Sequence, residues 1–163
     1  MEEALEIKMP ETDSCKEMMR KRQYYINKES YDCPSNKHLV PTQINVFTDG
    51  SKTLRGVGCG FAIYTEGKII AEDCLPLNPE CTVFQAELEA IHLAANYLNA
   101  IRERLKVKYV KFFSDSQSSL QALDSIKISS KTVLKTAQAL NRLGVKNKKN
   151  DVMLDQGPCR THG

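Results

Sequence analysis

From Gln43 onward, apolar residues recur at two different spacings. Short β-branched and aromatic runs come first: Ile44–Thr48, Val57–Tyr64 and Lys68–Leu77. Ser51–Gly56 and Glu66-Gly67 punctuate them, and Pro76 and Pro79 close the third. Three consecutive strands joined by short turns predict an antiparallel meander. The period then changes. Phe84, Leu88, Ile91, Ala95 and Leu98 follow one another at helical steps and make one apolar face. Thr82 with Gln85 three residues on reads as a capping box, and this helix is expected to reach about Arg104. Lys108–Ser114 is a fourth strand. Ser116 caps a short helix that buries Leu120 and Leu123. Ser129 or Ser130 opens a further helix through Leu143, with Val133, Leu134, Ala137 and Leu140 inside and Gly144 closing it. A fifth strand begins in Asp151–Leu154. Strand four is reached from the meander through a helix, so it should lie parallel to strand one.

Residues 1–42 lack this density. Ser14–Ile26 predicts a basic amphipathic helix with Met18, Met19 and Tyr25 as its apolar part. The polar Lys28–Pro41 stretch, with two prolines, reads as a linker. The expected division is an arm over 1–42 and a domain over 43–163.

A hydrophobic fraction of 41% and a charged fraction of 26% suit a globular chain and exclude a disordered one. The net charge of +3 is uneven. The first 41 residues are slightly acidic and the rest modestly basic, which is compatible with a polyanionic partner. Six cysteines form no C-x-x-C pair. The N-terminus is acidic and has no apolar core, unlike a secretory signal. The cysteines are therefore expected to be reduced thiols in an intracellular protein, and the spacing of a zinc site is missing. No apolar run approaches membrane-spanning length.

Three acids stand out against apolar surroundings. Asp49 ends Ile44-Asn45-Val46-Phe47-Thr48 and precedes Gly50-Ser51; Asp115 ends the fourth strand; Glu87 projects from the apolar face of the long helix or its edge. Adjacent parallel strands would set Asp49 and Asp115 together at their C-terminal ends, where open α/β sheets place their sites. Glu87 can lean over the same point. Three such carboxylates suit a hard, oxygen-seeking cation such as Mg²⁺ or Mn²⁺.

Phe47-Thr48-Asp49-Gly50-Ser51, Phe84-Gln85-Ala86-Glu87-Leu88 and Phe113-Ser114-Asp115-Ser116-Gln117-Ser118-Ser119-Leu120 resemble the ribonuclease H domain of non-LTR retrotransposon polyproteins. The resemblance covers about residues 43–154. It implies an α/β fold, an RNase H-like five-stranded mixed sheet with a three-strand antiparallel meander plus parallel strands, flanked by helices. It also implies cleavage of the RNA strand of an RNA/DNA hybrid with two Mg²⁺ ions, or Mn²⁺ in their place, held by four carboxylates. Asp49, Glu87 and Asp115 match three of those ligands, and Gly50 is grouped with the metal set. Gly50, Ser51, Ser116 and Gln117 fall on the substrate side. RNA would be distinguished from DNA through 2′-OH contacts, with basic residues near 102–111 and 146–149 available to phosphates. The parent is expected to be a larger polyprotein that contains a reverse transcriptase. An integrase core, which shares the acid set, fits less well: its essential Glu follows the strand-four Asp, whereas Glu87 precedes Asp115.

The family continues past strand five with W-x-x-x-H-x-G-x-x-G-N-E-x-A-D, which carries a mobile His and the fourth Asp. Here the chain reads Leu154-Asp155-Gln156-Gly157-Pro158-Cys159-Arg160-Thr161-His162-Gly163, with His162 at a different spacing. One set of codons that would encode this segment is TTG GAC CAG GGC CCA TGC AGG ACT CAT GGG, with third bases chosen to suit. One base later they read W-T-R-A-H-A-G-L-M-G, with Trp, His and both Gly at the family spacing. A frameshift near Leu154 that removes the last helix is therefore expected, and the nucleotide sequence across codons 154–155 checks it. Two functions follow: a hybrid-cutting nuclease, or an inactive RNase H-like module that binds nucleic acid or a partner.

Overall fold

The computed structural model describes residues 13–27, 43–105, 109–145 and 152–157. Its centre is the expected meander of β3 (Gln43–Thr53), β4 (Gly56–Thr65) and β5 (Lys68–Leu77), antiparallel throughout. Glu66 and Gly67 both take left-handed φ values, 55° and 76°. That is the type I′ combination whose twist matches a two-residue hairpin. Helix α1 (Val83–Ile101) crosses back, and β6 (Tyr109–Ser114) then pairs parallel to β3. Helices α2 (Gln117–Asp124) and α3 (Lys131–Val145) follow, before β8 (Val152–Gln156) pairs parallel to β6. Between α2 and α3 lies a short strand, β7 (Lys127–Ser130), and two strands precede the meander: β1 (Ser14–Met18) and β2 (Tyr25–Ile26).

The core lies between α1, α3 and the helix-facing side of the sheet. Ile44, Val46, Phe61 and Ile63 point into it from β3 and β4, and meet Leu88, Ile91, Ala95 and Leu98 of α1. The face expected from the helical spacing is thus the buried one. The capping box is present in full. The Thr82 backbone N–H donates to Gln85 Oε1 at 2.9 Å, and the Gln85 N–H donates to Thr82 Oγ1 at 3.0 Å. Ser116 caps α2, accepting from the Ser119 N–H.

Three expectations are corrected. Residues 14–26 form no helix; they supply β1, antiparallel to β7, and β2, which adds a sixth strand to the five expected. The sheet order is β2-β8-β6-β3-β4-β5. The reason is tertiary. Tyr24 is 3% exposed and donates its hydroxyl to the Leu123 carbonyl, and Arg22 reaches the same carbonyl and Asp124. Both therefore satisfy the carbonyl end of α2, where a cation also suits the helix dipole. Burial pushes the Tyr24 phenol up to about 12, against the lowering pull of Arg22. Third, Gly144 does not terminate α3 but lies within it. A Cβ there would sit 2.0 Å from the Gln23 carbonyl oxygen, so the glycine serves the close approach of this N-terminal segment. Lys28–Pro41, Lys146–Lys149 and Pro158–Gly163 lie outside the described residues.

Asp13 fastens the other end of the segment. Its carboxylate accepts from the Thr132 N–H (3.0 Å), the Thr132 hydroxyl (2.6 Å) and the Ser130 hydroxyl (2.7 Å), capping α3 from a distant part of the chain. Burial acts to raise the Asp13 carboxyl, but the bonds from Thr132 and Ser130 outweigh it and hold it below its usual range. A carboxylate with a depressed folded-state pKa stabilises above its unfolded value, near 4, and that contribution fades as pH falls through the folded one. Asp13→Ala is expected to cost about 1–2 kcal/mol at neutral pH, as lost caps do. In urea unfolding the gap to the parent should narrow steadily below about pH 4.

Candidate metal centre

The β3–β6 pairing ends at Phe47↔Phe113, while β3 continues to Thr53 paired only with β4. Asp49 therefore lies within a strand, and not at its end as the sequence suggests. It stands two residues past the last parallel pair, as Asp115 does on the neighbouring strand. The junction beneath them is tight. The Phe47 and Phe113 rings stack at 4.9 Å, and the Thr48 hydroxyl donates to the Phe113 carbonyl at 3.2 Å.

Glu87 comes from α1, and Gly50 explains how it gets close. A Cβ at Gly50 would lie 2.5 Å from the Glu87 nitrogen and 2.6 Å from the Ala86 carbonyl carbon, both backbone atoms. Only glycine lets α1 lie this near β3. The carboxylates of Asp49, Glu87 and Asp115 place an oxygen each within 4.8 Å of one another. Glu87 is 6% exposed, while Asp49 and Asp115 are reached by solvent. Among the described residues this is the one such group of acids, cysteines and histidines.

Like charges this close repel unless a cation joins them. Opposed oxygens around one Mg²⁺ stand about 4.2 Å apart, given metal–oxygen distances of about 2.1 Å. An all-carboxylate set with that spread fits a hard divalent ion, and fits Zn²⁺ poorly, since neither His nor Cys takes part.

The other predicted positions divide. Ser51 is exposed and borders, with Asp49, a groove of about 500 Å³ that crosses the sheet over Gly58 and Gly60 towards Cys74 and Pro76. The two glycines leave its floor bare. A Cβ at Gly60 would come within 3.1 Å of the Asp73 carbonyl oxygen. Ser116 is committed to its helix: its hydroxyl accepts from the Ser119 N–H and donates to Ser119 Oγ. Gln117 is exposed and donates to Gln156 Oε1 at 3.3 Å, on the far side of Asp115 from the groove. Lys111, in the basic stretch near 102–111, is taken up by Asp155 at 3.2 Å. Glu89 faces α3, bound to Lys135 and His92; the His92 contact first, then Lys135, holds its carboxyl below the usual range. The four cysteines among the described residues are free, and burial pushes the Cys59 thiol up to about 11, which makes it a poor nucleophile at neutral pH. Asn27, Gln121 and Gln156 line, with Gln117, a pocket on that far side of Asp115. No sequence signal marked them, because each is a polar residue in a polar run.

No protein-family model matches the sequence, and no curated protein matches it either. Solved structures do. RNase H1 from the archaeon Halobacterium salinarum is 17% identical, with 73% of this chain and 88% of that one covered at a TM-score of 0.54. The N-terminal RNase H domain of a Mycobacterium tuberculosis protein is 16% identical over 72% and 88%, at 0.56. LC11-RNase H1, solved in complex with an RNA/DNA hybrid, is 19% identical over 74% and 88%, at 0.58. The fold is that of RNase H. It covers the mixed sheet and the helices packed on it, as the resemblance of the three motifs implied. Among the described residues, no helix is long and apolar enough to cross a membrane.

Proposed function

We propose that this chain carries a metal-dependent phosphodiester-hydrolysing site that cuts the RNA strand of RNA/DNA hybrids. One observation carries the reading: the oxygens of Asp49, Glu87 and Asp115 gather within 4.8 Å just past the last parallel pair of β3 and β6, in an RNase H fold. A bound Mg²⁺ or Mn²⁺ supplies Lewis acidity towards the phosphoryl oxygen and lowers the pKa of a coordinated water. Asp49 and Asp115 would hold the cation from the β3 and β6 side, and Glu87 would hold it from α1. Gly50 brings those two supports together. The hydroxyl of Ser51 can donate to a phosphate oxygen beside Asp49, and the bare floor at Gly58 and Gly60 admits a nucleic-acid backbone close to the sheet.

The resemblance of the three motifs supports an ancestor among non-LTR retrotransposon polyproteins, next to a reverse transcriptase. The order of bases beyond codon 154 tests that ancestry. A second reading, a module that binds hybrid without cutting it, draws on one observation. The acid group has three members among the described residues, where the resembled family uses four. A labelled RNA/DNA hybrid incubated with the protein in Mg²⁺ and in Mn²⁺ decides between them. The nuclease reading expects RNA fragments with 3′-hydroxyl or 5′-phosphate ends and an uncut DNA strand. Binding with no cleavage in either metal would sink it in favour of the module.

A further inference from the structure

On the opposite side of Asp115 from the groove, β2, α2 and β8 enclose a pocket of about 340 Å³. We propose that it is a subsite for an unpaired nucleobase of the strand held at the carboxylates, an inference that rests on the nucleic-acid reading above. Its walls are mostly primary amides: Asn27, Gln117, Gln121 and Gln156. Leu120 and Ile26 supply apolar surface. The volume is that of a small-ligand site.

The position follows from the strand register. Gln156 pairs with Ser114, and the Gly157 N–H donates to the Ser114 carbonyl at 2.7 Å. Gln117 stands two residues past Asp115. The pocket therefore opens beside the residue that would hold the cation, one strand outward in the sheet.

The chemistry of the walls selects the ligand. Each primary amide offers two donors and an acceptor oxygen with two lone pairs. The Gln117–Gln156 bond uses one donor and one lone pair, and the Asn27 amide donates to Asp155 Oδ2 at 3.2 Å, so these three side chains are oriented, with capacity left on the Gln117 and Gln156 amides and on Gln121. Asn and Gln match the mixed donor–acceptor edge of a base, that of adenine bidentately. A phosphate or carboxylate is disfavoured. The only charged residue in the wall is Asp124, itself an acid, and its neighbour Arg22 is already bonded to Asp124 and to the Leu123 carbonyl. A base inside a duplex has its pairing edge occupied, so the pocket reads unpaired bases, which is how single-stranded RNA is usually recognised. The ligand class is thus a hybrid with an unpaired extension of its RNA strand.

Asn27 belongs to the N-terminal segment, so this subsite exists only because that segment adds β2 to the sheet edge. The remaining amides would otherwise line an open surface.

Fluorescence anisotropy with Ca²⁺ at the acid site tests the proposal. Three hybrids are compared: blunt, extended by about three RNA nucleotides, and extended by the same length of abasic backbone. The base-bearing extension is expected to tighten binding about tenfold over blunt, the effect of one well-seated base. The abasic extension should bind like the blunt duplex. Gln121→Ala, at an exposed position on α2, and Asn27→Ala should each lose most of the gain and keep the blunt affinity. Equal affinity for all three hybrids overturns the subsite and leaves the nuclease reading standing. So does a gain that the abasic extension reproduces, or one that both variants retain. Failure to bind any of the three overturns both.

Discussion

Asp49→Asn is expected to lower metal-dependent cleavage by more than about 100-fold, while metal-free protein unfolds at the same urea concentration as the parent or a higher one. The activity loss has a floor set by residues one step further out: partners of metal ligands alone cost 10–100-fold when removed. The stability half follows from the geometry. Three carboxylates with oxygens inside 4.8 Å repel one another in the absence of a cation, and removing one charge relieves that. Asp49 is solvent-exposed, so the amide meets no burial penalty. Metal reverses the ranking. A ligand present at 100 times its Kd stabilises by about 2.7 kcal/mol, and for a chain of this size that is a rise in Tm of about 5–10 °C. Mg²⁺ or Mn²⁺ should produce it in the parent and little of it in Asp49→Asn. If Asp49→Asn cuts hybrid at the parental rate, the acid cluster is not the active site.

Gly50→Ala carries the second-largest expected effect, and it needs no change of charge. The added methyl would press on the backbone of Ala86 and Glu87, at 2.6 Å and 2.5 Å, and a helix backbone cannot rotate aside as a side chain can. Overpacking of this kind typically costs about 1–3 kcal/mol. Relief requires α1 to move away from β3, taking Glu87 with it. A misplacement of about 1 Å in a reacting constellation can cost about 100-fold in rate. Gly58→Ala is the matched control. Its methyl would meet the Leu75 carbonyl oxygen at 3.3 Å, a contact that a small shift at the sheet edge accommodates. The pair should separate clearly in the Mn²⁺-induced thermal shift, a readout that does not depend on the groove floor at Gly58. If the two variants lose that shift equally, the close approach at Gly50 is not what positions Glu87.

The metal-site half of the molecule was legible because its signals are local. The period-two runs of β3 and β4, the helical stripe from Phe84 to Leu98 and the reciprocal cap at Thr82 and Gln85 each span fewer than twenty residues. Asp115 also sits where one element hands over to another. Even there, Asp49 was placed at a strand end, since nothing local reveals that hairpin pairing outlasts the parallel pairing. The N-terminal segment was misread for the opposite reason. Met18, Met19 and Tyr25 suggest a helix in isolation, yet what fixes their conformation lies about a hundred residues away: the Leu123 carbonyl, the α3 N-terminus and the gap above Gly144. β7 is only four residues long, with Ile128 its one fully buried side chain, too brief for any period to show. Gly144 was taken for a helix stop because glycine commonly is one, and its actual neighbour, Gln23, cannot be inferred from the local sequence.

The joints at Asp13, Arg22, Gln23 and Tyr24 also determine where this chain can be divided for expression. The hydrophobic pattern invites a fragment starting at Gln43, which would retain all three acids. Such a fragment would leave the carbonyl end of α2 and the amide end of α3 to water, vacate the space Tyr24 fills, and bare β8 as a sheet edge. Edges of that kind template self-association. A fragment starting ahead of Asp13 keeps these joints closed and, though longer, presents less apolar surface to its neighbours in solution.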